Sequence, residues 1–150
     1  MAKKSTPTTK EPVVSNKREH KLNIQPIGET ERSVLKFDDP EAVQKLEEMY
    51  PEMYQAFLEI LFTNLEVFAK KNADYGPDNI SLGSSLSTEE ERKLSLTGIW
   101  FRMQDKLNRL KQLVVLGKEN NVKESIEDTY QDLANYAIIS MIILKQKWGK

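Results

Sequence analysis

From residue 38 onward the apolar residues of this chain recur at three- and four-residue intervals, with no internal repeat and no alternation of strand-like and helix-like segments. Such spacing belongs to helices that each bury one face, so the expected fold is all-α, a helical bundle of about four helices. Asp39-Pro40-Glu41 reads as an N-cap followed by a proline in the first turn, opening a short helix that ends near Tyr50. Pro51 opens a longer one, in which Met53, Phe57, Leu58, Leu61, Leu65 and Phe68 form the stripe and Lys70-Lys71-Asn72 the end. Residues 73–86 are dense in turn formers. Thr88-Glu89-Glu90-Glu91 has the form of a capping box for a third helix, whose stripe is Leu94, Trp100, Met103, Leu107, Leu110 and Val114 and whose stop is Gly117. A fourth helix is expected from about Val122 to Trp148.

One domain fits 150 residues, and the helical domain is assigned to residues 37–150. Residues 1–36 are read as a flexible or extended N-terminal arm. They hold eight Lys and Arg against four Asp and Glu, and their first twenty residues are too polar to build a core. The net charge of -1 argues against a general polyanion binder, so nucleic acid is not an expected partner.

The chain has no cysteine and a single histidine, His20, which excludes disulfides, thiolate zinc sites and cysteine nucleophiles. Any bound metal should therefore take oxygen ligands, as Mg2+, Mn2+ or Ca2+ does. Met1-Ala2-Lys3-Lys4 runs into polar residues without an apolar signal segment, and Ala137 to Leu144 is far shorter than the roughly 20 residues of a membrane span. The expectation is a cytoplasmic protein with no membrane partner.

Two polar stripes carry the chemistry. Glu124, Asp128, Asp132 and Asn135, at offsets of four, four and three, share one face of the last helix, with Glu127 at the margin. Like charges at four-residue spacing repel, so something positive should face them, either a divalent cation or basic side chains of a neighbouring helix. Arg102, Asp105, Lys106 and Arg109 form a mostly basic stripe on the preceding helix. The two stripes could pair as structural salt bridges, or the acids could hold metal while the basic residues receive phosphate. Between them in sequence, Asn72 to Asn79 offers Tyr75 for stacking on a base, with Lys70 and Lys71 beside it.

Three segments together resemble a known family: Lys71-Asn72-Ala73-Asp74-Tyr75-Gly76, then Arg102 to Leu110, then Glu124 to Ala137. They resemble the first nucleotide modification associated domain, found in phages and bacteria, which is similar to the MazG-like all-α nucleotide pyrophosphohydrolases. That resemblance implies an oligomeric, Mg2+-dependent enzyme that converts a (deoxy)nucleoside triphosphate to monophosphate and pyrophosphate. It implies metal ligands among Glu124, Glu127, Asp128 and Asp132. It makes Lys71 and Asp74 candidates for the nucleotide loop and places Asp105, Lys106 and Arg109 in the same pocket. With Tyr75, Arg102 and Asn135 from the loop and stripes, these are the candidate nucleotide-binding residues, and Asp74 or Asp105 the candidate proton acceptor from water. MazG-like enzymes also carry a Glu-x-x-Glu pair on an earlier helix, where this chain has only Glu59 and Glu66.

Three functions follow for comparison: hydrolysis of a nucleoside triphosphate, non-catalytic sequestration of a nucleotide or cyclic nucleotide signal, and a helical interaction module. Apolar residues beyond the needs of four helices, Trp100, Phe101 and Trp148 among them, add the expectation of a homo-oligomer.

Overall fold

A computed structural model describes residues 37–150, so the expected N-terminal arm, residues 1–36, lies outside the described residues. Among the described residues all regular structure is helical. α1 (Pro40–Met49) opens as the sequence predicts: the Asp39 carboxylate accepts from the Ala42 amide at 3.0 Å, and Pro40 sits where a missing N–H costs nothing. After Tyr50 comes α2 (Pro51–Tyr75). It overruns the expected stop at Asn72, and Gly76 ends it at φ 66, a conformation that suits glycine. The predicted turn region contains one further helical turn, α3 (Asp78–Ser81).

The capping box at Thr88 forms as expected at the head of α4 (Glu89–Leu110). Thr88 Oγ1 accepts from the Glu91 amide at 3.2 Å, while the Glu91 carboxylate accepts from the amides of Thr88 and Ser87 at 3.3 and 2.8 Å. These donors, Thr88 first, hold the Glu91 carboxyl below its ordinary range. A π-helical stretch, Lys111–Val115, continues the helix toward Gly117.

α5 (Ile126–Leu144) is shorter at both ends than expected. Ser125 caps it, accepting from Asp128 N at 2.9 Å while Asp128 accepts from Ser125 N at 2.9 Å. Sequence periodicity missed this because the cap competes with one more helical turn and wins by satisfying two backbone donors. At the far end Gln146 takes φ 56, with Gln146 N donating to Ile143 O and Lys147 N to Ile142 O at 2.8 and 3.0 Å. This is a Schellman reversal with glutamine at the position that glycine usually occupies. Gln146→Gly should therefore raise stability by about 0.5–1 kcal/mol in urea unfolding, the relieved strain outweighing the added unfolded-chain entropy.

Ile80, Leu86, Ile99, Ile139 and Ile143 form the core, with Phe68, Leu96, Met103, Tyr136 and Trp148 packed against it. α4 and α5 run antiparallel in this core, Ile99 meeting the C-terminal half of α5 while Lys106 reaches Asp132. The expected α4 stripe is rotated. Leu110 is buried and Met103 packs against the core as expected, but Ser95 and Ile99 are buried too, whereas Leu94, Trp100, Leu107 and Val114 are about half exposed or more. Ser95 explains the rotation: its hydroxyl donates to the Ile80 carbonyl at 2.7 Å, bringing α4 close to α3. The expected α2 stripe is also mostly uncovered, Met53, Phe57, Leu61 and Leu65 remaining exposed. No helix among the described residues is long and apolar enough to cross a membrane.

Candidate functional site

A chain of alternating charges crosses the contact of α2, α4 and α5. Lys71 Nζ lies 2.5 Å from Asp132 Oδ1, and Lys106 Nζ lies 2.8 Å from Asp132 Oδ2 and 2.7 Å from Glu124 Oε1. Arg109 continues it, donating to the Glu124 carbonyl and to Asn120 Oδ1, with its Nε 3.7 Å from Glu124 Oε2. Burial works to raise the Asp132 pKa, but hydrogen bonds from Lys106 and Lys71 outweigh it and hold the carboxyl below its ordinary value. Glu124 is lowered too, first by its hydrogen bond from Lys106. Both acids are depressed, so their contribution to stability is present above about pH 4 and falls as acid passes through the lowered values. Wild-type unfolding free energy should thus decline below about pH 4 more steeply than that of Asp132→Asn, as acid titration followed by circular dichroism would measure.

Beside this seam lies a cavity of about 310 Å³, walled by α2, α3, α4, α5 and the C-terminal reversal. Phe68, Tyr75, Tyr136 and Trp148 supply aromatic surface. Trp148 is fixed by its indole N–H, which donates to the Pro77 carbonyl at 3.0 Å, and by an edge-on contact with Phe68 at 6.1 Å. Lys71, Arg102 and Asp132 are the cavity's charged residues. Arg102 donates to the Asn79 carbonyl at 3.0 Å, and among the described residues no carboxylate pairs with it.

Asn135 is the decisive wall residue. It is 6% exposed, and neither its Oδ1 nor its Nδ2 has a hydrogen-bond partner. A buried amide left unpaired costs about 1–3 kcal/mol, and native interiors rarely tolerate two such atoms on one side chain. Here the amide borders a cavity that a polar ligand could enter.

The structure divides the sequence-predicted residues. Lys71, Tyr75, Arg102, Asp132 and Asn135 line one cavity. Lys106 and Arg109 do not line it; Lys106 pairs with Glu124 and Asp132, and Arg109 with Glu124. Asp74 and Asp105 are exposed and outside the cavity wall. The proposed metal ligands are parcelled out. Glu124 precedes the cap of α5, off the helical stripe, while Asp128 is engaged in that cap. Glu127 borders a different groove, with Glu59 of α2. Both oxygens of Asp132 accept from lysines. Among the described residues no group of three or more His, Cys, Asp or Glu side chains is placed to hold a metal.

Phe68, Tyr136 and Trp148 escaped the sequence reading of the site, which had Asn79 as part of the 72–79 loop. Tyr136 lies four residues after Asp132, so helical spacing could have placed it on the cavity face. Trp148 could not be placed, because it arrives through the left-handed turn at Gln146.

Residues 71–144 match the family model of nucleotide modification associated domain 1. The matched domain begins at Lys71 and takes in Tyr75, Arg102, Asp132 and Asn135, the polar wall of the cavity. It leaves out α1, most of α2 and Trp148. No curated protein and no solved structure matches the chain.

Proposed function

We propose that the nucleotide modification associated domain of this chain binds a nucleotide in the cavity beside the Lys71–Asp132–Lys106 seam, holding it without requiring its hydrolysis. The single observation that carries this reading is the buried, unpartnered amide of Asn135. An amide presents one donor side and one acceptor side, and base edges offer adjacent donor and acceptor groups that match it. Tyr75 and Trp148 offer faces for stacking the base, and Arg102 and Lys71 offer cations for phosphate oxygens. A nucleoside monophosphate or cyclic nucleotide needs no metal to be held this way.

Hydrolysis is the finer alternative carried by the MazG-like resemblance. It asks Asp132 to exchange its two lysines for metal and to recruit further carboxylates, which the present arrangement of Glu124, Glu127 and Asp128 does not favour. The test is calorimetric titration of a nucleotide panel at two salt concentrations, with and without Mg2+. Arg102→Ala should weaken binding of every base alike and flatten its salt dependence. Tyr75→Ala should weaken binding by about 1–3 kcal/mol, by an amount that depends on the base. Mg2+-dependent appearance of monophosphate and pyrophosphate would favour the hydrolase instead. Unchanged affinity in both variants would remove these residues from the pocket.

A further inference from the structure

A second groove, of about 590 Å³, runs between α2 and α5 and shares no wall residue with the nucleotide cavity. Glu59, Ile60 and Asn64 line its α2 side, and Glu127, Tyr130 and Ala134 its α5 side. Asn64 is 5% exposed and is the one buried residue of α2, yet its Oδ1 has no hydrogen-bond partner among the described residues. Asparagine is a poor helix former, and a leucine would fill a buried helical position without stranding an acceptor. An acceptor kept at such a place asks for a donor, and the described residues supply none.

The charge of the groove is equally one-sided. Glu59 and Glu127 are carboxylates, and no lysine, arginine or histidine lines the walls. Glu59 accepts from the neutral Gln55 side chain at 3.2 Å, and among the described residues no cation pairs with either acid. Elsewhere on the same two helices acids do meet lysines, Glu66 with Lys70 and Asp132 with Lys71 and Lys106. The remaining surface is largely apolar. Ala56, Ile60 and Ala134 contribute methyl and methylene groups, and Thr63 spends its hydroxyl on the Glu59 carbonyl at 2.9 Å.

We infer that this groove binds an aliphatic amine with at least two ammonium groups, a ligand of the polyamine class. An ammonium has three donors and no acceptor, the complement of Asn64 Oδ1 and the two carboxylates. The methylenes between ammonium groups would lie on Ala56, Ile60 and Ala134, as the stems of lysines lie on apolar surface. Half-exposed Tyr130 offers a ring face to a cation. From Ala56 to Asn64 the α2 wall spans about 12 Å, room for two ammonium groups to reach different acceptors. Mg2+ suits the groove less well, because it demands octahedral oxygen ligands and gains nothing from apolar walls. The proposal is independent of the nucleotide reading, since the two sites have separate walls.

The test is equilibrium dialysis of the full chain against labelled spermidine, without nucleotide, with butylamine as the single-ammonium comparison. The wild type should bind one spermidine per chain and hold butylamine roughly tenfold more weakly or less. Asn64→Leu should weaken spermidine binding by about tenfold. Glu59→Gln with Glu127→Gln, two exposed positions where the fold is not at stake, should weaken it by at least as much. Glu89→Gln with Glu90→Gln removes the same charge from α4 and should leave binding as it is, with helical circular dichroism kept in every variant. Absence of spermidine binding by the wild type would overturn the proposal. So would unchanged affinity in Asn64→Leu, equal weakening by the α4 pair, butylamine binding as tightly as spermidine, or displacement of spermidine by Mg2+ at equal concentration.

Discussion

Lys106→Ala should destabilise the domain by about 2–3 kcal/mol, the largest loss expected from a single change in the charged seam. The Lys106 side chain is 21% exposed and its ammonium meets two carboxylates, Glu124 at 2.7 Å and Asp132 at 2.8 Å. Burial pulls its pKa down, but Asp132 and Glu124 outweigh that pull and raise it above the ordinary lysine value. Alanine leaves both acids short of a partner in a partly desolvated place. Lys71 still holds Asp132 and Arg109 still neighbours Glu124, so the loss stays below that of a fully buried pair. A raised lysine stabilises fully below its unfolded value near 10.4, and that stabilisation fades as pH rises through the raised value. Urea unfolding should therefore show the full gap between wild type and variant at neutral pH and a smaller gap in strong alkali.

Asn135→Leu should do two opposite things. It replaces an amide whose buried atoms have no partner with an apolar group of similar size, so the folded state should gain about 1–3 kcal/mol. The gain arises because leucine needs no hydrogen bonds beside Tyr136 and Ile139, which share that wall. The same change should reduce nucleotide affinity at least tenfold, since it removes the one buried donor and acceptor pair in the cavity. Stability gained together with binding lost marks a residue kept for function rather than for packing. Urea unfolding and calorimetry on one preparation would measure both. A less stable Asn135→Leu would show that the amide is satisfied within the folded chain.

The helical class and the starts of α1 and α4 were legible because Asp39, Pro40, Thr88 and Glu91 act locally, through bonds within one turn. That Asp132 and Asn135 share one face of α5 was legible from helical spacing, whereas joining them with Lys71 of α2 and Arg102 of α4 rested on the family resemblance. What escaped has two causes, a contact distant in sequence and a local cap that competes with continued helix. The rotation of α4 rests on Ser95 reaching the Ile80 carbonyl, and no periodicity of apolar residues reveals a serine as the point of closest approach. The acidic stripe fails at Glu124 because Ser125 and Asp128 cap the helix there, so a spacing of four no longer means one face. Of the two readings of the stripes, pairing as salt bridges describes Lys106, Arg109 and Glu124. The cavity makes its own use of Lys71, Arg102 and Asn135.

The most direct test of nucleotide binding is incubation of the full chain with a panel of nucleoside mono-, tri- and cyclic phosphates, with and without Mg2+. Mass spectrometry then reads both the protein-bound and the free species. The cavity reading predicts that at least one nucleotide is retained chemically intact without Mg2+ by the wild type, and released by Asn135→Leu. Retention of none by the wild type, or equal retention by the variant, would contradict it.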